Sequence, residues 1–167
     1  QLLHFGYRFD NTFTIAHFDN DTDHPVPTIS SDYNLVVGKY VKDELNRELY
    51  FNGSKTTKTG TETTNALSNT GVNIIGEANG NLYKGFLKEI IIFDSALSET
   101  EIIEIQAYLA TKWELEDDVD SDGDGTLDID DCEPINPENH LPLRFYKDVD
   151  GDGYGDEFDY VDSCESE

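Results

Sequence analysis

Two aspartate ladders near the C-terminus combine residue type and spacing in a way that suits one chemistry, the capture of a hard cation. The first runs Asp120-Ser121-Asp122-Gly123-Asp124-Gly125-Thr126-Leu127-Asp128-Ile129-Asp130-Asp131, and the second Asp148-Val149-Asp150-Gly151-Asp152-Gly153-Tyr154-Gly155-Asp156-Glu157-Phe158-Asp159. Each puts carboxylates at positions 1, 3, 5, 9 and 12 of a twelve-residue loop, with glycine at position 6. The candidate ligands are Asp120, Asp122, Asp124, Asp128 and Asp131 in the first loop, and Asp148, Asp150, Asp152, Asp156 and Asp159 in the second. Thr126 and Tyr154, at position 7, are expected to offer a backbone carbonyl. Such a set suits a cation that takes about six to eight oxygens, and the expected cofactor is Ca2+.

Electrostatics sharpens the expectation. Carboxylates about 4 Å apart repel by ~1 kcal/mol in water and by ~4 kcal/mol at an effective dielectric near 20. Five of them converging on one loop would force it open unless a cation neutralised them. The bland alternative is a solvated, disordered acidic tail. Plain acidity, however, has no reason to repeat the same five positions and the same glycine twice.

The charge is unevenly spread. Of a net −25 over 167 residues, the segment 116–167 carries −18, from 20 acidic and 2 basic side chains. Nucleic acid and anionic membrane are therefore unsuitable partners, because both require clustered Lys and Arg. No apolar run approaches the roughly 20 residues of a membrane span. The chain opens on Gln1, contains no methionine and stops at Glu167 soon after a repeat, so an internal or processed piece of a longer protein is expected. Its two cysteines, Cys132 and Cys164, each follow one acidic loop. They either pair with each other, worth roughly 3–4 kcal/mol in the chain-entropy model, or each pairs with a cysteine outside this stretch. Paired cysteines and calcium loops both point to an oxidising, extracellular compartment.

The elements that must carry these loops are mainly β. Residues 2–9 and 12–18 read as strands around the turn Asp10-Asn11, and 33–41 and 47–51 follow, the latter ending in the hairpin signal Asn52-Gly53. Residues 71–77 and 83–93 complete the set. The last contains Leu87-Lys88-Glu89-Ile90-Ile91-Ile92-Phe93, apolar enough to predict a central, buried strand. About six short strands with turns between them predict an antiparallel sandwich. One helix follows: Ser98 and Glu101 make a capping box, and Ile102, Ile105, Leu109 and Trp113 form an apolar stripe that packs on the sandwich. It should end by Leu115, after which Glu116-Asp117-Asp118 opens the acidic module.

On these residues, 1–115 resembles the later portion of a laminin-G-like, concanavalin-type jellyroll. The resemblance rests on Leu3-His4-Phe5-Gly6-Tyr7-Arg8, Leu35-Val36-Val37-Gly38-Lys39-Tyr40, Arg47-Glu48-Leu49-Tyr50-Phe51-Asn52-Gly53 and, most specifically, Gly85-Phe86-Leu87-Lys88-Glu89-Ile90-Ile91-Ile92-Phe93-Asp94, with Ala96-Leu97-Ser98 and Tyr108-Leu109-Ala110-Thr111-Lys112-Trp113 after it. It implies a partial jellyroll whose N-terminal strands come from elsewhere in the polypeptide or from a partner chain, and a setting among secreted multidomain proteins of Bacteroidota. Residues 116–167 resemble thrombospondin type-3 repeats, which wrap calcium with little regular structure. Cys132 stands one residue closer to its loop than in the usual repeat. An EF-hand or dockerin would need a helix after the loop, and Pro134 and Pro137 oppose one.

Catalysis is not expected. A retaining glycanase needs two carboxylates roughly 5 Å apart in a sugar cleft, and the closest candidates, Glu89 and Asp94, sit in a strand tail whose role, by the resemblance, is packing and edge termination. His4, His17, His24 and His140 are scattered. The expected function is a non-catalytic adhesion or ligand-binding module on a calcium-stiffened stalk, displayed on a bacterial cell surface, with a glycan or surface ligand as partner. An accessory carbohydrate-binding domain of a secreted polysaccharide-degrading enzyme and a purely structural spacer are the alternatives. Within the sandwich, Asp19-Asn20-Asp21-Thr22-Asp23 reads as an acidic loop, solvated or holding a further calcium. Tyr7, Tyr33 and Tyr40 are either sugar-stacking or cross-strand aromatics.

Overall fold

The computed structural model describes residues 4–8, 11–16, 21–26, 33–41, 46–59, 77–78, 81–82, 84–139 and 141–164. Among the described residues the chain is mainly β, with antiparallel sheets and a single helix, as the strand pattern predicts. Strands β1 (His4–Arg8), β2 (Thr12–Ala16) and β3 (Thr22–Pro25) form one sheet in that order. Strands β4 (Val36–Tyr40), β5 (Asn46–Phe51) and β6 (Ser54–Thr59) form a second. Two short pairs complete the strands: β7 (Glu77–Ala78) with β8 (Asn81–Leu82), and β9 (Leu143–Tyr146) with β10 (Tyr160–Ser163).

Period-two alternation builds the core between the sheets. Phe13 and Ile15 of β2 meet Leu49 and Phe51 of β5, with Val26 beside them and Tyr7 and Val36 at the edge. Tyr7 lies directly opposite Phe13 in the β1–β2 register, and their rings meet edge-to-face at 4.8 Å. Tyr7 is thus a cross-strand core aromatic. His24 ties the sheets together by stacking on Phe51 and by a 2.8 Å hydrogen bond between Nδ1 and Thr56 Oγ1, and burial lowers its pKa. On the opposite faces of β2 and β5, Thr14 and Tyr50 are buried too.

The Asn52-Gly53 turn joins β5 to β6 with φ of 48° and 86°, the pair of positive values a two-residue type I′ hairpin requires. Helix α1 (Glu99–Trp113) starts at the expected capping box: Ser98 Oγ accepts from Glu101 N, and the Glu101 carboxylate accepts from Ser98 N. Ile102 and Leu109 of the apolar stripe are buried, and so is Gln106. The helix closes on Glu114 in the left-handed conformation.

Two expectations are corrected. Residues 87–93, read as a buried central strand, are irregular and exposed, Ile92 at 88%. Apolar composition alone does not make a strand; the backbone needs a ladder partner, and among the described residues none pairs with this stretch. Polar side chains tether it instead. Lys112 Nζ and Trp113 Nε1 donate to the Glu89 carboxylate, and Lys88 Nζ donates to Trp113 O and lies over the Tyr33 ring. The acidic stretch around Asp21 is not wholly a loop: Thr22 and Asp23 belong to β3, and the Asp21 and Asp23 carboxylates pair with Arg8. Asp10, Asp19, Asn20, His17, His140, Tyr83 and most of 71–77 lie outside the described residues.

Candidate metal centre

The first loop grows directly from the helix end. Leu115 N donates to Ala110 O, and Val119 N to Leu115 O. Ala110, Leu115 and Val119 then pack as a second apolar cluster with Leu35 and Trp113 against it. This delivers Asp120 to the β5–β6 turn, where its N–H donates to Asn52 O at 3.3 Å. Asn52 is itself fixed by bonds with both the N–H and the C=O of Leu35. Gly53 is the contact surface. A Cβ there would fall 1.6 Å from Asp120 O, so only glycine lets the loop approach.

Within the loops, the same hydrogen bonds recur at the same positions. Asp120 Oδ1 accepts from Gly123 N and its Oδ2 from Gly125 N; Asp148 does the same with Gly151 N and Gly153 N. Asp122 accepts from Asp124 N, and Asp150 from Asp152 N. Asp124 accepts from Thr126 N, and Asp152 from Tyr154 N. Positive φ at Gly123, Gly125, Gly151 and Gly153 turns the backbone inward. One ligand atom from each of Asp120, Asp122 and Asp124 lies within 4.8 Å of the others, and Asp148, Asp150 and Asp152 gather likewise. Positions 1, 3 and 5 of both ladders are thus brought together.

The remaining candidates make other contacts. Asp128 spends both carboxylate oxygens on Ser121, accepting from its N–H at 2.7 Å and its Oγ at 2.6 Å. Asp131 accepts from Glu133 N, and its charge reaches Asp122. In the second loop Asp156 accepts from Phe158 N, and Asp159 pairs with Lys147 at 3.2 Å. Thr126 and Tyr154 are held by their N–H groups, and the Tyr154 side chain is exposed.

The charge crowding leaves its mark on the carboxyls. Burial pushes Asp122 up to about 6, and the neighbouring Asp124, Asp131 and Asp120 charges add to the rise. Burial also raises Asp128. Asp122 Oδ2 is buried and has no hydrogen-bond partner among the described residues, and a buried acceptor of this kind is costly unless something positive satisfies it. A hard cation fits the donor set: oxygen only, anionic, and turned inward on a glycine-bent backbone. When bound, the ion would supply the charge that lets Asp120, Asp122 and Asp124 remain ionised side by side.

The disulfide closes the module. Cys132 and Cys164 are bonded, joining the end of the first loop to the strand after the second. Arg144 and Asp162 form a two-bond ion pair across β9 and β10. Among the described residues no helix follows Cys132, and 133–139 contain turns.

Sequence reasoning missed the support around the first loop. Ser121, Gln106 and the Asn52-Gly53 contact are not ladder positions. Two signals were available: a glutamine on the otherwise apolar buried face of the helix, and a serine at position 2 where the second ladder has valine. A cleft of about 370 Å³ also opens at this junction, lined among others by Tyr50, Lys55, Glu99, Asp120 and Asp122.

A two-sheet antiparallel sandwich followed by one packed helix defines a lectin-like β domain. The family model of the concanavalin A-like lectin/glucanases superfamily matches residues 3–103. That is more than half of the chain, which therefore belongs to this family of laminin-G-type domains. No curated protein and no solved structure matches the chain.

Proposed function

We propose that this chain is a non-catalytic, extracellular ligand-binding module of a large secreted bacterial surface protein, in which the sandwich recognises its partner and two calcium-filled loops stiffen the stalk. The repetition of one inward-turned hydrogen-bond pattern at Asp120–Asp124 and Asp148–Asp152 carries the calcium assignment. Membership of a lectin-like family supports ligand binding. The disulfide supports an oxidising compartment. The non-catalytic reading is supported at Glu89, whose carboxylate accepts from Lys112 Nζ and Trp113 Nε1.

Calcium acts by linkage. It binds the closed loops and not the open ones, so an ion at about 100-fold its dissociation constant stabilises each loop by roughly 2.7 kcal/mol. The stalk is then loose where calcium is scarce and stiff outside the cell. Two measurements test this reading. Proteinase K digestion with and without chelator should show cleavage within 116–164 only when calcium is withdrawn; equal digestion in both would contradict the stiffening. A glycan array probed in millimolar calcium should give ligands that chelator releases or leaves, and an array blank under all conditions would reduce the sandwich to a spacer.

A further inference from the structure

The two loops share a hydrogen-bond pattern but not a support, and we propose that they are unequal sites: the first a preorganised, tighter calcium site held by Ser121, Gln106 and Asp128 as positioning residues, the second a weaker site that fills at higher calcium. The inference rests on the calcium reading above and deepens it.

The difference begins at loop position 2. Ser121 sits between the ligand residues Asp120 and Asp122 and is only 2% exposed. Its N–H and Oγ both donate to Asp128, and its C=O accepts from Nε2 of the fully buried Gln106 at 2.9 Å. On the other side, Asp120 N is bound to Asn52 O against Gly53. The backbone carrying the first two ligands is thus fixed to the helix and to the β5–β6 turn by the folded sandwich itself. In the second loop, position 2 is Val149, which has no hydroxyl and is 68% exposed. Asp156, the counterpart of Asp128, accepts from Phe158 N inside its own turn. Asp148, Asp150 and Asp152 are all exposed, whereas Asp120, Asp122 and Asp124 are half-buried.

Both ladders bring the same five carboxylates, so charge count does not separate them. Rigidity does, and it is the other quantity that sets the affinity of an oxygen site for calcium. In the first loop the ordering cost is met on folding, before the ion arrives; in the second the ion must order exposed loop backbone as it binds. Half-burial also lowers the local dielectric and strengthens the attraction of the first cluster for a cation. Asp128 contributes through Ser121 rather than by direct bonding.

The test is a calorimetric titration of the calcium-stripped full chain with calcium chloride. Two steps are expected, with dissociation constants about tenfold or more apart. Asp124→Ala should delete the tight step and Asp152→Ala the weak one. Ser121→Ala and Gln106→Ala should weaken the tight step by about tenfold and leave the weak step and the far-ultraviolet circular dichroism unchanged. The second site is the internal control, since general destabilisation would not move one step alone. Two equal sites, loss of the tight step in Asp152→Ala, or positioning variants that leave the tight step in place would each overturn the inference while leaving the calcium reading intact. No heat at any calcium concentration would overturn both.

Discussion

At the scale of single residues, Gly53 and Asp152 are the sharpest probes. Gly53 combines a left-handed backbone with a contact on Asp120 O that leaves no room for a Cβ. Gly53→Ala is expected to cost about 1–3 kcal/mol from backbone strain alone and to loosen the first loop, read as a lower thermal midpoint together with faster proteolysis near Asp120. An unchanged midpoint would mean the turn and the loop do not press on each other. Asp152→Ala is expected to reduce calcium stoichiometry by one ion per chain while leaving the sandwich intact, because among the described residues the hydrogen bonds of Asp152 stay within its own loop. Loss of both ions in that variant would show that the loops are not separate sites. The ladder carboxylates were legible because their geometry is local: alternate aspartates on a glycine-bent backbone bring positions 1, 3 and 5 together whatever surrounds them. Gln106 and Ser121 were not, since what they hold is decided by the packing of a helix against a loop fifteen residues away.

At the scale of elements, local chemistry again separates what the sequence showed from what it hid. The Asn52-Gly53 hairpin and the Ser98–Glu101 capping box are determined by a few adjacent residues, and both are found as expected. Ser98→Ala is expected to destabilise the fold by about 1 kcal/mol through the lost cap, seen as a lower urea midpoint with an unchanged slope; a midpoint equal to the parent's would show that tertiary packing alone holds the first helical turn. The stretch 87–93 shows the opposite case. Its run of Ile and Phe has high strand preference, but strand preference is realised only against a partner, and these residues are tethered by Lys88 and Glu89 to the helix end instead. Strand β3 was hidden by its own polarity. Thr22 is buried in it while Asp21 and Asp23 turn to Arg8, so an acidic sequence became a sheet edge.

At the scale of the molecule, the first acidic loop and the sandwich are packed as one unit. Val119, Ser121 and Asp120 dock on α1 and the β5–β6 turn, so withdrawing calcium is expected to lower the thermal midpoint of the sandwich and not only of the acidic segment. Near-ultraviolet dichroism from the buried Tyr50 and the half-buried Trp113 would report it; a midpoint indifferent to chelator would uncouple the two. Breaking the Cys132–Cys164 link is expected to remove roughly 3–4 kcal/mol from the acidic module by the chain-entropy argument, measured as protease sensitivity of the reduced chain in calcium. The most direct measurement is a crystal structure grown in calcium, with anomalous differences recorded at long wavelength. Two peaks are expected per chain, each about 2.3–2.6 Å from oxygens of Asp120, Asp122 and Asp124 or of Asp148, Asp150 and Asp152. Well-ordered loops with no anomalous peak at either cluster would contradict the account.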